Sequence, residues 1–339
     1  MKRKQRFFKL SAIVGCILLG AGMLLCGAGF VGMGCNWNAF TYPRGGEPVA
    51  VSSFVEADAV DSIEIHASMG DVKIERASAA NPEDVEIILA EKAYQVVVQH
   101  GLLLVTPQKS LGGHSGWNWY QLLNLHSNRD WDVTIRVPEK LLDSVFVETS
   151  MGDVDLSDLE AASVTVQGDM GDVTLDNVSA SESMTVTQSM GRVTLENCQG
   201  GALLLENDMG DTDVSSGSFT EGQITARTGS VGVADSDFTA LTVDNDMGNV
   251  NLTSTQVSGA ASCTVNMGNI ELDAFASPDI TLTADSGNVT GTLAGRQADY
   301  QITVDTDMGN STLKDQLGDG PNILRVTTDM GNIELSFEE

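Results

Sequence analysis

The tetrapeptide Met-Gly-Asp/Asn-Val/Ile recurs along the chain, and its spacing limits the folds open to it more than any other feature. It reads MGDV at Met69, Met151 and Met170, MGRV at Met190, MGDT at Met209 and MGNV at Met247. MGNI stands at Met267 and Met330 and MGNS at Met308, with looser copies TGSV at Thr228 and SGNV at Ser286. From Gly152 to Gly331 the glycines are 19, 20, 19, 19, 19, 20, 19, 22 and 22 residues apart, and Gly70 carries an outlying copy. A constant period of this length marks stacked supersecondary units, none of which buries its apolar face alone.

Alignment on the glycine produces columns. Seven and five residues before it stand Val164/Val166, Leu203/Leu205 and Ile280/Leu282; two and four after it stand Val173/Leu175, Val193/Leu195 and Ile270/Leu272. Polar residues alternate with them, the period-two mark of half-buried strands. Each unit therefore reads as strand, tight glycine corner, strand and a Ser/Asn/Gly-rich return. The predicted fold is all-β, a parallel β-solenoid of about ten 19–22-residue rungs over 141–339. An antiparallel sandwich is the alternative, because strand–turn–strand also describes a hairpin; constant rung length favours the stack. Parity with the apolar positions predicts that the methionine before each glycine points inward. Its plain role is flexible core filler, although nine stacked sulfurs would also suit a soft metal such as Cu(I).

Acidic and amide residues flank the corner. Asp169, Asp208, Asp246, Asp285, Asp307 and Asp329 lie two before the glycine, and Asp153, Asp172 and Asp211 one after it. Arg192 interrupts the second column, which from Asn249 onward is Asn. Turn-forming Asx chemistry explains such residues. Calcium held between rungs is the other reading, since oxygen ligands are abundant, but the nine-residue calcium-roll repeat is absent.

Charge is unevenly spread. Lys2, Arg3, Lys4, Arg6 and Lys9 precede an uncharged run, 10–34, whose length predicts a transmembrane helix. The basic tail 1–9 then lies in the cytoplasm, and Trp37 and Tyr42 in the linker 35–50 suit the interface. A cleaved signal peptide, or lipidation at Cys26 or Cys35, is the alternative. After residue 40 there are 13 basic and 47 acidic residues, a balance of −34. That charge excludes a nucleic-acid binder, and five cysteines without a CxxC pair exclude a zinc ribbon.

Residues 51–140 read as an N-terminal β-rich module and cap, with an irregular insertion at 111–130. Trp117, Trp119 and Tyr120 in that insertion suit a binding platform or a cover for the open end of the stack, two roles that are compatible. The four histidines form no HExxH motif, and GxSxG is absent. Cys198 and Cys263 read as small core residues. Only Arg192, Arg227, Arg296, Lys314 and Arg325 are basic across the repeats, unlike solenoid polysaccharide lyases, which gather acids and bases on one outer face.

The runs SIEIHASMGDVKIE (62–75) and VTIRVPEKLLDSVFVETSMGDVDL (133–156), followed by serial GDV/GNI rungs, resemble a bacterial family of membrane-anchored β-strand-repeat proteins labelled adhesin. The resemblance covers 55–339 and implies a place in the cell envelope; some members are linked to envelope stress. It implies no catalytic or ligand residue. The expectation is a non-enzymatic, single-pass membrane protein with an extracellular solenoid, acting as an adhesin-like binding module or an envelope-stress sensor. Its partners would be an envelope or surface protein, a glycan or a cationic peptide. It needs no cofactor unless calcium stabilises it as a scaffold. A polysaccharide-active enzyme is the remaining alternative.

Overall fold

A computed structural model describes residues 50–77, 84–90, 93–108, 131–316 and 320–338. The tail, the expected transmembrane helix 10–34, the linker to residue 49 and the insertion carrying Trp117, Trp119 and Tyr120 lie outside the described residues. Among the described residues, no helix is long and apolar enough to cross a membrane.

The unit from Ala50 onward is a parallel β-solenoid. Each full rung contributes three ladder segments. In the Gly171 rung these are Val173–Asp176, Val178–Ala180 and Ser183–Gln188, paired in parallel with the rungs on either side. Alternate residues point inward, so identical columns pack on themselves. Val154, Val173, Val193, Val231 and Val250 line one wall, and Val147, Val166, Val186, Leu205 and Ile224 another, all buried. A side chain in such a column has partners above, below and across, which is why one rung cannot stand alone.

Two corners bend each rung. The first is the repeated glycine, with φ between +128° and +150° from Gly152 to Gly268. A Cβ on Gly210 would overlap the carbonyl oxygen of Gly191 in the neighbouring rung, and the same holds at Gly171, Gly229 and Gly248. Glycine is thus required twice, by the backbone angle and by the approach of the next rung. The second corner lies six residues on. There Asp158, Asn177, Asn197, Ser216, Asp235, Ser254 and Ala274 adopt left-handed φ of 46–55°, a conformation that short Asx side chains tolerate better than most.

The rungs are not stacked in chain order at either end. Val60–Ala67 and Val72–Arg76, the rung of the outlying Gly70, sit directly on the Gly152 rung, so the 51–140 segment is continuous with the stack. On their other face they pair with Gly101–Pro107 and Val133–Val137, which come later in sequence. In that outermost rung Trp131-Asp132-Val133 takes the place of Gly-Asp-Val: Gly70 lies against the Trp131 carbonyl, and Asp71 N donates to Asp132 Oδ1. Antiparallel strands then close this end. Tyr94–Gln99 pairs with Gly101–Pro107, Asp84–Ala90 with Val133–Val137, and Ala50–Glu56 with Asp84–Ala90.

At the other end Asn322–Met330 pairs with Asp279–Ser286 on one side and Tyr300–Met308 on the other. The Gly331 rung is therefore inserted beneath the Gly309 rung. The hydrogen bonds agree: Gly287 N donates to Met330 O, and Gly331 N to Met308 O. After Asn310 the chain folds back, Ile302 and Gln316 exchange two backbone hydrogen bonds, and the returning strand enters the slot. The two 22-residue spacings are the signature of this detour.

This order is open to a disulfide test in a background with Cys16, Cys26 and Cys35 replaced by serine. Ser286 and Met330 are registered neighbours, about 4.8 Å apart and within disulfide reach; Ser286 and Met308 are two rungs apart, roughly 9.6 Å and beyond it. Ser286→Cys/Met330→Cys should oxidise readily and Ser286→Cys/Met308→Cys should not; the reverse would establish serial stacking.

Candidate functional site

The first corner carries the repeated chemistry on the outer surface. At five corners its inner side is polar, whereas Ala226, Val265 and Ala284 stand there before Gly229, Gly268 and Gly287. Three residues before the glycine stand Thr149, Gln188, Asn207, Asn245 and Thr328, all buried. Asn207 Nδ2 donates to the carbonyls of Gly191 and Gly210 at 3.2 Å, Asn245 Nδ2 to Gly229 O at 3.0 Å, and Thr328 Oγ1 to Gly287 O at 3.1 Å. The amides of Gln188, Asn207 and Asn245 and the hydroxyl of Thr328 thus satisfy corner carbonyls that would otherwise face the apolar interior unpaired, whereas the Thr149 hydroxyl makes no such bond.

That arrangement overturns the inward methionine. Met170, Met190, Met209, Met247, Met267, Met308 and Met330 are 44–64% exposed. Strand parity holds up to the inward polar residue; the backbone then swings into the corner, and the next two residues both face solvent. Core filling falls instead to Met184, which is fully buried.

The Asx column after the glycine forms an inter-rung ladder. Asp71 Oδ1 accepts from Asp153 N, Asp153 Oδ1 from Asp172 N, and Asp172 Oδ1 from Arg192 N, at 2.8–3.0 Å. Asn249, Asn269, Asn288 and Asn332 continue it toward Asn310. The expected Asx chemistry is present, but its donor is the next rung rather than the residue's own turn. In the aspartates one carboxylate oxygen is thereby engaged and the other remains outward, whereas in the asparagines the single amide oxygen is the one engaged. Arg192 approaches Asp211 at 3.3 Å, and Arg227 approaches Asp208 at 3.1 Å, each relieving crowding within a column of like charges. Among the described residues, no group of three His, Cys, Asp or Glu side chains is placed to hold a metal ion.

Two further features sit away from the corner. A shallow groove of about 490 Å³ runs along the stack from Ser218 to Asn322 and Tyr300, with Phe219, Phe238 and Val257 among its lining residues. Asp237 is the one carboxylate among its described lining residues, whereas glycoside hydrolysis uses a pair. Cys198 and Cys263 are buried, as expected; burial raises both thiols, Cys198 to about 11, which keeps them protonated and unreactive.

The Gly70 and Gly152 rungs are bridged by a titratable cluster. His66 Nδ1 lies 2.5 Å from Glu148 and Nε2 2.7 Å from Glu64. Burial opposes charge on the ring, but hydrogen bonds to Glu64 and Glu148 and their charges outweigh it, raising the pKa above 6.5. A raised pKa contributes stability that is full below 6.5 and lost as pH climbs through the folded value. His66→Gln should therefore destabilise the chain below that pH and converge with the wild type well above it. Denaturant midpoints of both proteins across the range check this, and a constant difference would contradict it.

Solved structures that align with the chain include a Clostridium sporogenes protein named for cell adhesion (12% identity, 86% of this chain and 100% of that one, TM-score 0.22). Others are a Parabacteroides distasonis protein named for lipid binding (13%, 87% and 98%, TM-score 0.39) and a Bacteroides fragilis protein named as an adhesin (13%, 86% and 98%, TM-score 0.32). At these scores they carry no argument about what the chain does. No curated protein is significantly similar in sequence. The Toastrack DUF4097 family model matches residues 60–234 and 202–336, spanning most of the stack. The chain belongs to the Toastrack DUF4097 family.

Proposed function

We propose that this protein is a non-catalytic binding scaffold of the bacterial cell envelope, anchored by the 10–34 span with its solenoid outside the membrane. The observation that carries the reading is the recurrence of outward-facing carboxylates at the corner, at Asp169, Asp208, Asp246, Asp285, Asp307 and Asp329 before the glycine and at Asp153, Asp172 and Asp211 after it. A unique pocket suits one small ligand, whereas a repeated anionic surface suits an extended cationic one held at many points. The balance of −34 beyond residue 40 would steer such a ligand in from a distance. Cationic peptides and basic segments of envelope proteins fit this chemistry, in the role of an adhesin-like module or a sensor of envelope damage.

Binding of a fluorescent oligolysine to the full chain, at roughly 10 mM and roughly 1 M salt, tests the electrostatic core of the proposal, because the Debye length falls from about 30 to about 3 Å between them. Saturable binding that weakens at least tenfold in high salt is the expected result. No binding at low salt would overturn it.

A further inference from the structure

The exposed methionines raise a question that core packing no longer answers. Every apolar residue at this position of the Met-Gly corner is methionine: nine corners carry it, and the two exceptions are Thr228 and Ser286. Elsewhere the chain uses Val, Leu and Ile freely in its columns. An exposed position that needed only apolar surface would accept those residues equally well. What the column retains is the thioether.

Register makes these sulfurs neighbours. Met151 pairs with Met170, Met170 with Met190, Met247 with Met267, and Met308 with Met330. Gly70 stacks under Gly152 and Gly191 under Gly210, which places Met69 beside Met151 and Met190 beside Met209. The outcome is an unbroken run of Met69, Met151, Met170, Met190 and Met209, then the pairs Met247/Met267 and Met330/Met308, separated by Thr228 and Ser286. The last pair is contiguous with Ser286 through Met330 because of the inserted rung. Successive rungs lie about 4.8 Å apart, a separation that lets two flexible thioethers converge on one ion between them. Rows of outward carboxylates run on both sides, at Asp169, Asp208 and Asp246 and at Asp153, Asp172 and Asp211, and make the local field attractive to cations.

We propose that the methionine column binds soft monovalent metal cations of the Cu(I) and Ag(I) class, each held between thioethers of successive rungs. Thioether sulfur selects these ions over Zn(II), Ca(II) and Mg(II), which prefer imidazole, thiolate or oxygen ligands. The site is independent of the binding-scaffold reading, since it requires only the column and its register.

The test is titration of the full chain, with Cys16, Cys26 and Cys35 replaced by serine, with Ag(I), the redox-inert member of the class, followed through the ¹³C-methyl resonances of labelled methionine, with Ca(II) and Zn(II) as controls. Ag(I) should shift the exposed methionine methyls saturably and leave buried Met184 unmoved, and neither control ion should shift the column. Replacing all nine corner methionines, Met69, Met151, Met170, Met190, Met209, Met247, Met267, Met308 and Met330, by leucine keeps the positions apolar and should weaken Ag(I) binding at least tenfold. Thr228→Met joins the run ending at Met209 to the pair beginning at Met247 and should raise the binding capacity; it remains decisive if the leucine variant fails to fold. Unmoved methyls, Ag(I) affinity unchanged in a folded leucine variant, or capacity unchanged by Thr228→Met would each overturn the proposal.

Discussion

The backbone of one rung meets the backbone of the next at the glycine corner, and the rest of the molecule depends on that approach. A side chain there would occupy the space of the neighbouring carbonyl, as the Gly191–Gly210 and Gly210–Gly229 contacts show. Close approach lets Gly N–H groups reach the carbonyls of the adjacent rung at 2.8–3.1 Å. It also fixes the register, since a slip of one residue would turn every inward column outward. With register fixed, side chains stack on their own kind: valine on valine inside, Asx on Asx and methionine on methionine outside. The surface chemistry is therefore a consequence of the corner geometry.

Stacking like on like is favourable for apolar columns and hazardous for charged ones. The chain manages the hazard locally. The aspartates after the glycine, Asp71, Asp153, Asp172 and Asp211, each accept a backbone N–H from the next rung, so part of their charge density is spent on a fixed donor. Arg192 and Arg227 enter the acidic columns where several acids would otherwise follow one another. These ion pairs are half exposed and contribute little energy individually; their effect is to limit repulsion along a column. The residual negative charge faces outward, where it is available for binding.

Period, strands, corner glycine and parallel stacking were all legible in the sequence, because each follows from local pattern. The methionine orientation was not, because parity counting assumes that the strand runs straight through the corner. The buried polar residues at Gln188, Asn207 and Asn245 were the available signal, since amides in an apolar column mark a place where carbonyls need partners. Rung order was hidden for a different reason. The copies at Gly309 and Gly331 are equivalent locally, and only long-range pairing decides which lies inside. The outermost rung is not legible in the repeat because Trp131 stands where the other corners carry glycine. Of the candidate site, the Asx columns were visible but not their inter-rung donors, which belong to the next turn of the solenoid. Trp117, Trp119 and Tyr120 lie outside the described residues, so their place as platform or cap stays an expectation.

The corner account makes a comparison between two glycines that share a positive φ. Gly229, at +140°, lies against the Gly210 carbonyl, whereas Gly295, at +100°, has no atom near where a Cβ would stand. Alanine at Gly295 should cost only the backbone term, about 1–2 kcal/mol. Alanine at Gly229 should cost that plus the forced separation of two rungs, roughly 1–3 kcal/mol more. The most direct measurement is urea denaturation of Gly229→Ala and Gly295→Ala beside the wild type. A clearly larger loss at Gly229 is the predicted result; equal losses at the two positions would contradict the claim that rung-to-rung contact at the glycine corner holds the solenoid in register.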